Sequence, residues 1–360
     1  MTKISGFFAV GRETFIKACS LGINPACALL VMASGTGRDN VTTKWSAEAV
    51  SKHVGLRWST AKDAISALLH HGLVVLKPGK STHPSYKLSK VGDLIWLPRS
   101  LIEGAAKEVP PITKVRQAQD VMMLRLLVEL YSAQNLREDG GVRADVCCQH
   151  YDRRQAGQQA AHTVWDFTIT HKKVSWTEIT QPHYRKVFTE KELEEKKNAG
   201  VDVFARVGRL ESLGLIDWVP YLFEGEKGEP IHALAAKGLL IERELYEAAT
   251  SAAARMLTNG QKEYVQGILA PVLAHIDKVQ LIGLMRLHYR PHTRLTAAWW
   301  AEQHSVCQGF IDRYITLAVP VVPVVPATPM SIPYQLTAHV YWNTSTSTDA
   351  DADADDRVPF

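Results

Sequence analysis

The sequence is poor in cysteine, in unbroken apolar runs and in the signatures of metal or nucleotide chemistry. Its five cysteines, Cys19, Cys27, Cys147, Cys148 and Cys307, are odd in number and unpatterned. That argues against a disulfide framework and fits a reducing cytoplasm. The longest apolar stretch near the C-terminus, Leu317 to Val325, is broken by Pro320 and Pro323, well short of the ~18 residues that a membrane-spanning helix needs. The opening residues Met1-Thr2-Lys3-Ile4-Ser5-Gly6 lack the basic start, apolar run and small-residue cleavage site of a secretory leader. A cytoplasmic protein without a membrane segment is expected.

Signatures of catalysis are missing as well. There is no Gly-x-Ser-x-Gly, no His-Glu-x-x-His and no carboxylate cluster of nuclease or polymerase type. Gly79-Lys80-Ser81 has the form of the end of a phosphate-binding loop, but the earlier glycine such a loop requires falls at Val74. Cys147-Cys148-x-His150 lacks metal-ligand spacing and a second pair. His288-Tyr289-Arg290-Pro291-His292 offers ligand atoms without a partnering carboxylate. The expectation is a non-enzyme with no metal and no cofactor.

What the chain does have is uneven charge. Residues 1–100 carry 13 Lys/Arg against 5 Asp/Glu, a net of +8, while residues 349–360 carry five Asp and one Arg, a net of −4. The 248 residues between are neutral overall. A basic module on a neutral body is the electrostatic footprint of a polyanion partner.

Residues 1–105 read as a basic domain of helices followed by a hairpin. Asn24-Pro25 opens an apolar helix that stops at Gly35, Ser46 caps a second ending at Gly55, and Ser59 caps a third with Ala61, Ile65 and Leu68 inward, stopping at Gly72. Leu73–Lys77 and Tyr86–Leu88 then form a hairpin with a basic tip. A partial echo follows, with Val207, Leu210, Gly214, Leu215 and Ile216 repeating Ile65, Leu68, Gly72, Leu73 and Val74. It suggests a second such domain over 106–236, interrupted by an insertion near 137–186 that holds a strand at Trp165–Ile169. Residues 237–318 read as a helical region, with helices at Ala235–Met256, Val265–Ala274, Val279–Leu287 and Thr296–Leu317. From Val319 a Pro-rich spacer and an acidic, disordered tail complete the chain over 319–360.

Over Asn24 to Leu88 the sequence resembles the winged helix-turn-helix, through Ser46-Ala47-Glu48-Ala49-Val50, Val54-Gly55-Leu56, Thr60-Ala61, Ile65, Leu68 and Gly72-Leu73-Val74. With its echo, the chain resembles tandem winged-helix replication and DNA-binding proteins of mobile elements. The resemblance implies a mainly α fold with small β wings (α+β), in two copies. It also implies that the third helix enters a DNA groove with its N-terminal residues toward the bases. Arg57, Trp58, Ser59, Thr60, Lys62, Asp63 and Ser66 are then outward, with Lys77, Lys80, His83 and Lys87 on the wing and Lys44 and Lys52 as further cations. Trp58, Trp45 and Tyr86 are candidate stacking groups for unpaired bases, and Trp96 reads as core.

The last residues resemble the tail of bacterial single-stranded-DNA-binding proteins: Asp349, Asp351, Asp353, Asp355 and Asp356, then Val358-Pro359-Phe360, with Arg357 departing from the pattern. That resemblance implies recruitment of the host proteins that dock on such tails. The aspartates would steer to a basic surface, while Phe360 supplies a ring and its carboxylate. The combined expectation is a DNA-binding protein, single-stranded DNA favoured, in replication or maintenance of a mobile element. Two alternatives stay open: a sequence-specific duplex-DNA transcriptional regulator, dimerising through 237–318, and a protein–protein adaptor.

Overall fold

The computed structural model describes residues 6–78, 84–104, 108–138, 141–174, 203–225, 228–276, 278–290 and 293–318. All lie within the first of two compact units, Met1–Val319; the second, Pro320–Phe360, falls outside the described residues.

Strand β1 (Phe7–Gly11) leads into α1 (Arg12–Ser20) and α2 (Ile23–Ser34). Helix α2 is buried continuously from Pro25 to Ser34, as befits a helix that is apolar nearly all round. Pro25 sits in its first turn, where a missing N–H is tolerated. Then come β2 (Thr42–Thr43), α3 (Ala47–Val54), α4 (Trp58–His70), β3 (Val74–Leu76) and β4 (Tyr86–Leu88). Helices α3 and α4 are each followed by a glycine in the left-handed region, Gly55 at φ +69° and Gly72 at φ +67°, a conformation in which a Cβ is strained. Thr43 pairs with Tyr86 and Val74 with Leu88, giving an antiparallel sheet of order β2-β4-β3. Strand β5 (Leu94–Pro98) pairs back onto β1.

Helices α5 (Ser100–Glu103), α6 (Pro111–Gln117) and α7 (Val121–Ser132) connect this module to a sheet built from β6 (Cys147–Gln159) and β7 (His162–Val174), then, after α8 (Val203–Ser212), β8 (Ile216–Glu224) and β9 (Pro230–Ala233). Helices α9 (Leu240–Met256) and α10 (Asn259–Lys262) precede β10 (Ile268–Leu273) and β11 (Val279–Leu287), and α11 (Arg294–Ala318) follows. The six strands run in the order β10-β7-β6-β11-β8-β9, every neighbour antiparallel.

The fold is therefore not mainly α with small wings. Helix accounts for 45% and strand for 27% of the described residues, and most of the strand lies in one large curled sheet, a half-barrel. The expected second winged helix gives way to this sheet. Helix α8 does run through Gly214 into a strand, but that strand, β8, is nine residues long and pairs with β11 and β9. The expected insertion supplies the sheet's central hairpin, β6–β7, with Trp165–Ile169 inside β7. Two segments expected as helices, 265–274 and 279–287, instead contain β10 and β11. In β11 every second residue from Val279 to Leu287 is buried, the period of a strand. In β10, Pro271 has no N–H for a helix or an inner ladder, and an edge strand tolerates that. Thus 237–318 is not a purely helical region.

One buried cluster runs from Phe8 through α2, α4, α6 and α7 to Val207, Ile216, Met285 and Leu287, so the first module and the start of the sheet share a core. A second joins Phe167, Leu222, Ala270, Val279 and Leu281 of the sheet to Leu245 of α9 and Ile311 of α11. Trp96 is not in either. It stands 46% exposed on β5, between buried Ile95 and Leu97, because strand alternation turns it outward.

Candidate nucleic-acid interface

Helix α4 is positioned by the face it buries. Ala61, Ala64, Ile65 and Leu68 enter the core, and their spacing leaves Trp58, Lys62 and Ser66 as one outward stripe. Trp58 is 58% exposed. Lys62 Nζ lies 5.4 Å from its ring centroid, one helical turn on, so a cation and an indole face share one surface. Arg57, Ser59 and Asp63 are exposed beside them, whereas Thr60 is half-buried.

The neighbouring sheet adds cations through its pairing. Lys87 lies between buried Tyr86 and Leu88 on β4 and is paired with Thr42 on one side and Val75 on the other. Lys77 donates to Thr42 Oγ1 at 3.0 Å. The loop before β2 is held by Asp39, which accepts from the N–H groups of Val41 and Thr42 at 3.1 Å. Those bonds, with the Thr42 side chain first among them, bring its carboxyl down to about 2. Lys44 and Lys52 are exposed as well. Among the described residues, none of Lys44, Lys52, Arg57, Lys62, Lys77 and Lys87 takes part in an ion pair. Such cations remain available to external phosphates.

Two expected stacking groups are interior instead. Trp45 is half-buried, stacks on His53 with centroids 4.9 Å apart and planes 9° from parallel, and lies so close over Gly35 that a Cβ there would come within 2.2 Å of it. Tyr86 is 9% exposed and belongs to the core, with burial raising its hydroxyl pKa. Of the three aromatics, only Trp58 faces solvent. Lys80, His83 and the tail residues Asp351, Asp353, Asp355, Asp356, Val358, Pro359 and Phe360 lie outside the described residues.

Sequence reasoning missed Val75 and Leu76, 55% and 51% exposed on β3 beside Lys77. In an unbroken run of four apolar residues, Leu73–Leu76, nothing local marks which of them turn outward. The other sequence candidates do not converge into a site. Cys148 Sγ is 3.3 Å from His150 Nε2, and burial pushes the neighbouring Cys147 thiol up to about 12. His288 Nδ1 is 3.8 Å from Asp217, which raises its pKa. Among the described residues no group of three or more His, Cys, Asp or Glu side chains is arranged to hold a metal ion, and no helix is long and apolar enough to cross a membrane. Comparison of the chain with protein-family models, curated proteins and solved structures finds no match.

Proposed function

We propose that the chain binds DNA through α4 and the β2-β4-β3 sheet. The observation that carries this is the set of six exposed cations on and beside α3, α4 and the β2-β4-β3 sheet that, among the described residues, take part in no ion pair, together with the outward Trp58–Lys62–Ser66 stripe of α4. Phosphates would meet Lys44, Lys52, Arg57, Lys62, Lys77 and Lys87, and the outward face of α4 would meet bases. Preference for single strands, stated as part of this proposal, is supported by Trp58 alone, an exposed indole with a free face for a base. The duplex reading gains from the burial of Trp45 and Tyr86, because an α-helix presented by its N-terminal turn suits a major groove without stacking.

A role in replication or maintenance of a mobile element, with recruitment of host proteins by Val358-Pro359-Phe360, belongs to the same proposal and is supported by the sequence. The test is affinity for an oligothymidine against a duplex of equal length, measured across a salt series. Salt-dependent binding to either supports the DNA reading, and a ten-fold or greater duplex preference removes the single-strand part. Absence of binding at low ionic strength removes both. A pulldown with and without Phe360, scored for replication and repair proteins, tests recruitment.

A further inference from the structure

We propose that the half-barrel holds a binding site for a neutral, largely hydrocarbon small molecule carrying one hydrogen-bond donor. The sheet curls far enough that its two outer strands, β10 and β9, both border a single cavity of about 560 Å³, and the C-terminal half of α11 forms the remaining wall. That volume lies in the ~300–1,000 Å³ range of small-molecule sites, which favour the mouths of barrels. Leu222, Ile231, Val272, Phe310 and Leu317 give the wall its apolar character. An apolar cavity offers water too few partners to hold it well.

Two polar features interrupt this lining: half-buried His162 at the start of β7, and a buried pair contributed by β9 and α11. His232, 1% exposed, has Nδ1 3.2 Å from the carbonyl oxygen of Ala233 and Nε2 2.8 Å from the Tyr314 hydroxyl. A carbonyl can only accept, so Nδ1 carries the proton, Nε2 is the acceptor, and Tyr314 donates to it. The Tyr314 oxygen keeps a lone pair, and both side chains line the cavity. The complementary ligand group is therefore an N–H or O–H. Burial also keeps the imidazole uncharged near neutral pH. Burial lowers the pKa of His162 as well, so near neutral pH an anionic ligand would find no interior cation here. The rim cation, Arg313, is solvent-exposed, and the neighbouring rim residue is the exposed carboxylate Asp312.

N-phenyl-1-naphthylamine, neutral with two aromatic systems and one N–H, is a suitable probe for the full-length protein. Its fluorescence should rise saturably to one molecule per chain. Leu273 and Thr316 line the cavity from exposed positions, so Leu273→Trp and Thr316→Trp obstruct it without entering the core. Together they should weaken binding at least ten-fold at unchanged Tm, and Leu273→Trp alone should weaken it if the pair does not fold. Tyr314→Phe, which removes the hydroxyl oxygen, should weaken binding by roughly three- to ten-fold, the loss of one ordinary hydrogen bond, and the same loss in Tyr314→Phe/His232→Gln would show that the freed His232 Nε2 does not replace it. Non-saturable binding, or affinity unchanged in the tryptophan variants, overturns the proposal.

Discussion

Trp45 and Trp58 flank α3, and what lies beneath each ring decides its role. Trp45 lies over Gly35, where the absence of a side chain lets the indole approach the backbone, and it stacks on His53. Gly35→Ala should therefore destabilise the fold by about 1–3 kcal/mol, the cost of overpacking, read as a lower urea midpoint. Trp58 is 58% exposed, with Lys62 Nζ over its ring. Trp58→Ala should leave Tm unchanged yet weaken oligothymidine binding by about 1–3 kcal/mol if the ring stacks on a base. An unchanged oligothymidine affinity would assign α4 to duplex DNA or to no DNA. Lys62→Ala separates those outcomes: contact with one phosphate should flatten the slope of log affinity against log salt by about one unit, whichever form of DNA is bound.

At the scale of elements, Asp120 shows how a single carboxylate joins two helices. One oxygen accepts from the N–H groups of Met122 and Met123 at the start of α7, while the other receives Nε–H of Arg206 on α8 at 2.8 Å. Arg206 is 6% exposed, so Asp120→Ala would lose a cap and remove a charged partner from a buried guanidinium. About 2–4 kcal/mol of destabilisation is expected. Asp120→Asn, which still caps, should cost less, and equal losses in urea unfolding would show that the ion pair contributes nothing. The ends of α3 and α4 were legible in the sequence because Gly55 and Gly72 act through local backbone preference; Ser46 does precede α3, but its side chain makes no capping hydrogen bond, and α4 begins at Trp58, ahead of the expected cap Ser59. The outward cations of α4 were legible for a similar reason, since helical spacing around Ala61, Ile65 and Leu68 fixes which side is wet. The half-barrel was not. Strand β6 carries a largely polar run, Gln149 to Gln155, whose partner β11 lies more than a hundred residues away, and the alternation of β11 was masked by aliphatic residues on both of its faces. Burial of Trp45 and Tyr86 was hidden likewise, because it depends on Gly35 and on the pairing of β4 between β2 and β3.

Across the whole molecule, two consequences follow from where the cores lie. The first concerns pH. Burial lowers the His232 pKa from its ordinary 6.5 to about 4. Between those values the unfolded chain binds a proton that the folded chain refuses, so this contribution is complete above pH 6.5 and is lost as pH falls toward 4. The gap corresponds to about 3 kcal/mol. Tm should thus fall more steeply from pH 7 to pH 4 in the wild type than in His232→Gln; parallel curves would show that the imidazole charges without cost. His53 and His162, lowered by burial as well, titrate in both proteins and cancel in the comparison.

The second consequence concerns how the basic module stands up. Helix α7 packs on α1, α2 and β5, and α6 on α2 and α3, so Leu124, Leu127, Ile112 and Val115 complete the core that Phe8, Phe15 and Leu97 begin. Cutting the chain after residue 105 would bare that surface, and each large side chain so exposed forfeits about 1.5–3 kcal/mol of burial. Losses of that size over several residues are comparable with the 5–15 kcal/mol by which a typical domain is stable. Residues 1–105 alone are therefore expected to lack a near-ultraviolet circular dichroism signal from fixed aromatic rings, whereas residues 1–135, which restore α6 and α7, should recover more of it. In the full chain, tryptophan fluorescence and far-ultraviolet dichroism should report one coincident unfolding transition. A fragment 1–105 that melts cooperatively and binds DNA as tightly as the full chain would show that the shared core is dispensable to the module.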